Sequence, residues 1–377
     1  MKEVNELESG ETSGEVKKTP FHKYHVEAGA KMVPFAGYMM PIQYTGITDE
    51  HLAVRKSVGM FDLSHMGEFE ISGPGALGFI QKMTTNDASQ LQVGQIQYSI
   101  FCYDDGGIVD DLLVYRLPDK YMLVVNASNI QKDFDWLKSR LDKGVELKNI
   151  SDQIGMLAIQ GPHAQKVMAL VTDYNLDSVP YYHFANMKVG KHSLLISRTG
   201  YTGEDGFEMY IPPHMCDDLW HACYEAGRKY DMKLIGLGAR DSLRLEMKMS
   251  LYGNDIDKTT TPIEAGLAWV VNFDKGAFTG RNVLLKQKEE KPTRRLICLE
   301  MEGKVFPRHG YELVHEGKTV GHVTSGTFSP SLEKPVAMGY LPLSLTKIGS
   351  TVQVKVRDRL FPAVVVKPPF YKEGTHR

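Results

Sequence analysis

The sequence predicts an α+β protein that ends in a separate all-β domain. Three observations predict it. Strand-like segments bounded by Gly, Asp and Pro turns outnumber amphipathic helices. A charged, proline-containing stretch over residues 287–295 interrupts the pattern and reads as a linker. Beyond it, short strands recur at regular spacing with no convincing helix. A chain of 377 residues also exceeds the usual size of one hydrophobic core, so two or three domains are expected.

Taken in order, residues 1–18 are polar and acidic, without the apolar run of a secretory signal or the basic character of a transit peptide, and read as a disordered lead-in. Residues 97–103 and 108–117 flank Asp104-Asp105-Gly106-Gly107 and read as a hairpin, with 121–126 as a further strand. A second hairpin joins 194–198 to 207–211 through a Gly-rich turn. Helical periodicity marks 75–83, 129–141, 163–170, 216–230 and 239–246.

Composition narrows the function. With 44 Lys+Arg against 46 Asp+Glu, the net charge of −2 supplies no global field for nucleic acid or anionic lipid. No stretch approaches the ~20 apolar residues of a membrane span. The four cysteines lack any Cys-x-x-Cys spacing and read as reduced, buried thiols of a cytoplasmic protein. The 13 histidines form no ligand-like pair, so no metal is expected.

Three constellations carry candidate chemistry. In Gly106-Gly107-Ile108-Val109-Asp110-Asp111-Leu112-Leu113-Val114-Tyr115, strand alternation puts Asp111, Leu113 and Tyr115 on one face and Asp110, Leu112 and Val114 on the other. One carboxylate then sits among apolar groups, where its pKa rises and proton traffic becomes feasible. A pair that only seals a strand end fits the same spacing, and spacing by itself favours that simpler role. In Arg198-Thr199-Gly200-Tyr201-Thr202-Gly203-Glu204-Asp205-Gly206-Phe207-Glu208, glycines allow close backbone approach to a ligand, and Glu208 beside aromatic rings suits the adjacent N–H donors of a pterin or purine. An ordinary hairpin with an exposed Glu is the plainer alternative. In Gly236-Leu237-Gly238-Ala239-Arg240-Asp241-Ser242-Leu243-Arg244-Leu245-Glu246, Arg240 and Arg244 share a helix face and suit an anion or carbonyl, or else an intrahelical ion-pair ladder. Gly73-Pro74-Gly75-Ala76-Leu77-Gly78 matches a dinucleotide fingerprint. The acidic strand end due about 20 residues later falls in a hairpin arm instead, so no nicotinamide cofactor is expected.

These segments, with Phe35-Ala36-Gly37-Tyr38-Met39-Met40-Pro41, Phe61-Asp62-Leu63-Ser64-His65-Met66-Gly67-Glu68, Leu251-Tyr252-Gly253-Asn254-Asp255 and Thr324-Ser325-Gly326-Thr327-Phe328-Ser329-Pro330-Ser331-Leu332, resemble the blocks of the glycine cleavage T-protein family, in the family order. The resemblance implies a three-domain cloverleaf around a central folate channel. Residues 19–60 plus 152–286 would form a discontinuous α+β domain, 61–151 an inserted α+β domain, and 292–377 a jelly-roll or barrel-like β domain. It implies transfer of a one-carbon unit from the aminomethyl-lipoyl arm of the H-protein to tetrahydrofolate, with release of ammonia and formation of 5,10-methylenetetrahydrofolate. Tetrahydrofolate is then an acceptor substrate, and neither metal nor flavin is implied. Asp111 matches the family's catalytic aspartate. Glu208 would bind the pterin; Tyr98, Leu113, Tyr115, Val125 and Tyr201 would line the slot; Arg240 would fix the pterin end or the lipoyl path; Met66 would touch the ring. Met249 departs from an aromatic residue of some relatives, and Lys372 and Arg377 are candidates for the folate tail. Other folate-dependent one-carbon transferases or demethylases on this fold, and non-catalytic folate-binding factors, stay open as alternatives. The latter carry a reactive Cys in a loop that here reads Thr199-Gly200-Tyr201-Thr202-Gly203.

Overall fold

The structure, a computed structural model, describes residues 16–376. Three open sheets and one closed barrel make up its β framework. The six-stranded sheet runs Phe184–Val189, His192–Ser197, Gly206–Ile211, Gly155–Gln160, Gly59–Asp62, Lys233–Ile235 across its width. The five-stranded sheet runs Ile96–Cys102, Ile108–Arg116, Lys120–Val125, Gly67–Ser72, Glu146–Asn149. A three-stranded sheet uses Lys17–Lys18, Tyr38–Gln43 and Lys31–Phe35. Six strands between Arg294 and Val366 close into the barrel, so the all-β end of the chain has no open sheet edge.

Each of the two larger open sheets buries one face under helices whose apolar residues recur at helical spacing. Helix Cys216–Arg228 buries Cys216, Leu219, Trp220, Cys223 and Gly227, and its stripe packs on the six-stranded sheet against Phe207, Met209 and Leu157. On the five-stranded sheet, Phe79, Ile80 and Met83 of Ala76–Met83 meet Phe69, Val114 and Leu123. The opposite faces of the two sheets meet each other. There Phe61, Leu63 and Ala158 pack against Tyr115, Met122 and Val124, with Ala239 and Leu243 of helix Leu237–Glu246 closing the side. Residues past 250 return to the five-stranded sheet, where Ile256, Ile263 and Leu284 cover Ile100, Cys102 and Ile108.

All five anticipated helices form, as Ala76–Met83, Ile130–Lys138, Ala164–Met168, Cys216–Arg228 and Leu237–Glu246. The 287–295 linker is corrected. Helix Arg281–Glu290 takes in Gln287 to Glu290 and strand Arg294–Met301 begins soon after, leaving only 291–293 between them. The charge run is the solvated face of a helix, which Pro292 then prevents from continuing. Helices His22–Glu27 and Ile47–Lys56 had no clear periodic signal. Of the disordered lead-in, residues 1–15 lie outside the described residues, whereas Lys17–Lys18 pairs in parallel with Tyr38 and Met39. The strand before Gly73-Pro74-Gly75 is antiparallel to both its neighbours, so no βαβ unit is present there. Gly73, at φ +96°, is required because a Cβ would lie 2.4 Å from the Gly144 carbonyl oxygen. All four cysteines are free and buried. Among the described residues no helix is long and apolar enough to cross a membrane.

Candidate active site

Strand Ile108–Arg116 divides its side chains as its alternation requires. Leu112 and Val114 enter the core with Phe69 and Val125, while Leu113 and Tyr115 face the junction of the two sheets. Asp110 is fully buried and accepts from Asn129 Nδ2 at 2.7 Å, Asn126 Nδ2 at 2.8 Å and the Asn126 backbone N–H at 3.1 Å. Asp111, on the junction side, accepts from Asn126 Nδ2 at 2.8 Å and from the Tyr98 hydroxyl at 2.9 Å. One carboxamide thus spans both aspartates. Desolvation, reinforced by the Asp110 charge, lifts the Asp111 pKa to about 7, against the pull of Tyr98 and Asn126 toward the ionised form. A carboxyl group poised there takes and returns a proton near neutral pH. Trp269, 70% exposed, stacks on Tyr98 at 5.8 Å between ring centroids.

The second carboxylate stands on the neighbouring sheet. Strand Gly206–Ile211 carries Glu208, which accepts from Thr199 Oγ1 through Oε2. Burial raises its pKa, opposed by Thr199 and the Arg240 charge. Arg240 rests on the Tyr201 ring, 4.8 Å from the centroid, and among the described residues it donates to no carboxylate or carbonyl. Phe61, Leu63, Tyr201, Thr202, Glu208 and Arg240 bound a small crevice. Tyr182, in the left-handed region at φ +62°, has its pKa raised by burial and, to a smaller extent, by the nearby charges of Glu208 and Asp111.

The two arginines of one helix face have separate fates. Arg244 is consumed by Asp241 at 2.7 Å, Asp255 at 2.6 Å and Ser325 Oγ at 2.8 Å. Arg240 stacks on Tyr201 and makes no such ion pair among the described residues. Glu246, the other proposed ladder member, instead pairs with Arg55 and His51. The glycine-rich loop is also corrected. At Gly200 and Gly206 a Cβ would fall 2.0 and 2.2 Å from the Gln160 amide, and at Gly203 it would meet Met247. Those glycines admit protein side chains rather than a ligand.

The structure therefore brings together Tyr98, Asp111, Leu113, Tyr201, Glu208 and Arg240, with Met66 packed in the same junction as Leu113. Tyr115 is completely enclosed, its hydroxyl 2.7 Å from that of Tyr210, so it backs the site rather than lining it. Val125 is a correction. It points to the other side of the five-stranded sheet and is fully buried with Leu112, Val114 and Leu123, because Val124 takes the junction side of its strand. Met249 is half-buried, Lys372 is exposed, and Arg377 lies outside the described residues. Asn126, Tyr182, Thr199 and Trp269 escaped the sequence reading. Asn126 left one trace, a turn-forming residue at the exit of a strand, but nothing in its spacing says that it reaches back across two carboxylates.

Two family models match this chain, the GCVT N-terminal domain over residues 21–275 and the glycine cleavage T-protein C-terminal barrel domain over residues 294–372. An aminomethyltransferase of Bacteroides fragilis is 52% identical over 361 residues, covering 95% of this chain and all of the relative. One from Halothermothrix orenii is 48% identical over 356 residues, covering 94% of this chain and all of the relative. The crystal structure of the glycine cleavage system aminomethyltransferase T of Bartonella henselae superposes with a TM-score of 0.90 at 35% identity, covering 96% of this chain and all of that one. Fold and relatives together define an enzyme of the aminomethyltransferase class. The chain belongs to the glycine cleavage T-protein family.

Proposed function

We propose that this cytoplasmic enzyme accepts the aminomethyl group carried on the lipoyl arm of an H-protein and transfers its carbon to tetrahydrofolate bound between Asp111 and Glu208. The overall change balances: the carbon loses its bonds to sulfur and to the amine nitrogen and gains bonds to N5 and N10 of the folate. The two folate N–H protons end on the thiol and on ammonia. The acceptor supplies the nucleophilic nitrogen and keeps the carbon as 5,10-methylenetetrahydrofolate.

The observation that carries this reading is the Asp111 carboxylate, lifted by burial and the Asp110 charge to a pKa of about 7 and held by Tyr98 and Asn126 opposite a second buried carboxylate. In its ionised form Asp111 orients the attacking nitrogen and stabilises the positive charge that develops on it; its near-neutral pKa lets it relay one of the departing protons. Glu208 accepts from the adjacent amino and N3–H donors of a pterin, and Arg240 donates to the pterin carbonyl. Tyr201 and Leu113 bound the ring with flat and aliphatic surface. The residues fit the group: Glu208 Oε1 receives no hydrogen bond among the described residues, and Arg240 has uncommitted donors beside it. The division into 19–60 with 152–286, 61–151 and 292–377 around a folate channel belongs to the same proposal.

The test is ammonia release from aminomethylated lipoyl H-protein with and without tetrahydrofolate. Rapid release that requires both protein and folate, with methylenetetrahydrofolate formed in equal amount, supports the reading. Folate binding without release moves the activity to a different one-carbon donor.

A further inference from the structure

Behind Glu208 runs a column of four hydroxyl groups that the proposed reaction does not use. Thr199 Oγ1 is bonded to Glu208 Oε2; Ser197 Oγ lies 2.6 Å from Thr199 Oγ1; the Tyr115 hydroxyl lies 3.3 Å from Ser197 Oγ; and the Tyr210 hydroxyl lies 2.7 Å from that of Tyr115. All four residues are buried, Tyr115 and Ser197 completely. Each hydroxyl owns a single proton, so the carboxylate at one end fixes every direction. Thr199 spends its proton on Glu208, and Ser197 must therefore donate to Thr199. Tyr115 must in turn donate to Ser197, and Tyr210 to Tyr115. The column is unidirectional, each bond polarising the next toward the carboxylate.

We propose that Tyr210, Tyr115, Ser197 and Thr199 are positioning residues that hold Glu208 ionised and fix its rotamer with Oε1 turned to the ligand, so that the site selects a ring presenting adjacent N–H donors. This rests on the reading of Glu208 as the pterin carboxylate. The physical need is plain. Burial works against the Glu208 anion, and its direct supports are Thr199, at the near end of this column, and the Arg240 charge. The other titratable groups facing it, Tyr115, Tyr181, Tyr182, Tyr201 and Tyr210, are phenols whose pKa values burial has raised further, so they are neutral donors across the working pH range. Protonating Glu208 turns its carboxyl into a possible donor to Thr199, so the anchor that fixes the direction of the column is lost.

The experiment measures tetrahydrofolate affinity against pH for the full-length protein and for Glu208→Ala, Thr199→Val, Thr199→Ser and Tyr115→Phe, each checked for an intact thermal transition. Thr199→Val is expected to weaken binding about tenfold, the effect of one hydrogen bond to a charged group, and Thr199→Ser to restore most of that loss. Tyr115→Phe, two hydroxyls from the carboxylate, is expected to weaken it about threefold. With a donor gone the Glu208 pKa rises, so the loss of affinity on acidification begins at higher pH in Thr199→Val than in the parent. On the Glu208→Ala background, Thr199→Val should cost nothing more. If Glu208→Ala weakens binding but Thr199→Val and Tyr115→Phe do not, the column is refuted while the pterin carboxylate stands. If Glu208→Ala itself leaves affinity unchanged, the pterin reading has failed and the column falls with it.

Discussion

Replacing Asn126 by Ala tests whether the two aspartates are tuned through the carboxamide between them. The substitution removes the donor 2.8 Å from Asp110 Oδ1 and the donor 2.8 Å from Asp111 Oδ1. Asp110 keeps the Asn126 backbone N–H and the Asn129 amide, so its charge stays supported. Of its two side-chain donors Asp111 keeps the Tyr98 hydroxyl at 2.9 Å. The loss therefore falls on Asp111. A hydrogen bond to a charged group contributes about 1.5–3 kcal/mol, and about 1.4 kcal/mol corresponds to one pH unit. From about 7 in the parent, the Asp111 pKa should rise by about one to two units. Since the ionised form is the active one, the acid limb of kcat/KM moves to higher pH by the same amount. Activity at neutral pH falls about five- to fiftyfold and recovers as the pH is raised. The assay is folate-dependent ammonia release at saturating H-protein across the pH range. An acid limb that stays where the parent has it, with a lower plateau, would refute the tuning and leave Asn126 a packing role only.

Asp111→Asn should cut turnover at least about a hundredfold while stabilising the fold in a pH-dependent way. The native pKa is raised, so the parent loses stability as pH climbs from the ordinary carboxylate range through about 7; the variant is spared that loss. Its Tm advantage should be present at about pH 8 and absent at about pH 4, and equal differences at both would contradict the buried-carboxylate account. Val125→Ala should cost about 2 kcal/mol in denaturant unfolding and leave folate affinity intact; a folate Kd changed several-fold would return Val125 to the binding slot. Arg244→Ala should destabilise by about 3–5 kcal/mol by leaving fully buried Asp255 unpaired. Arg240→Ala should leave the unfolding midpoint nearly unchanged and weaken folate binding; the reverse pattern would exchange their roles.

Much of the local structure was legible because local chemistry writes it. The hairpin through Asp104-Asp105-Gly106-Gly107 and the alternation of Ile108–Arg116 follow from turn residues and a period of two. Helices with a one-sided apolar stripe, such as Cys216–Arg228, were equally plain. Arg281–Glu290 was not, since it buries only Leu284 and its charge run resembles a linker. The loop glycines misled for a related reason. Their spacing reports that something approaches closely, without saying whether a ligand or the Gln160 side chain does.

By itself the sequence determined which residue types were available and which of them alternate along a strand. That placed Asp111 opposite Asp110 and Glu208 among aromatic neighbours, and the ordered motif blocks supplied the family. Only the tertiary structure decided which of those groups are buried, paired or left with free donors and acceptors. Asp111 reaches a pKa of about 7 because the sheet junction removes water and Asp110 lies beside it, while a separate strand brings Tyr98 and the turn after a third brings Asn126 to hold the pKa from rising further. Arg240 is free and Arg244 consumed because Asp255 and Ser325, both more than ten residues away, fold onto one arginine and not the other. Val125 and Val124 exchange faces by a single position in the register, which no composition fixes. Charge, solvation and hydrogen-bond direction depend on distances between residues far apart in the chain, and those distances exist only once the sheets have met.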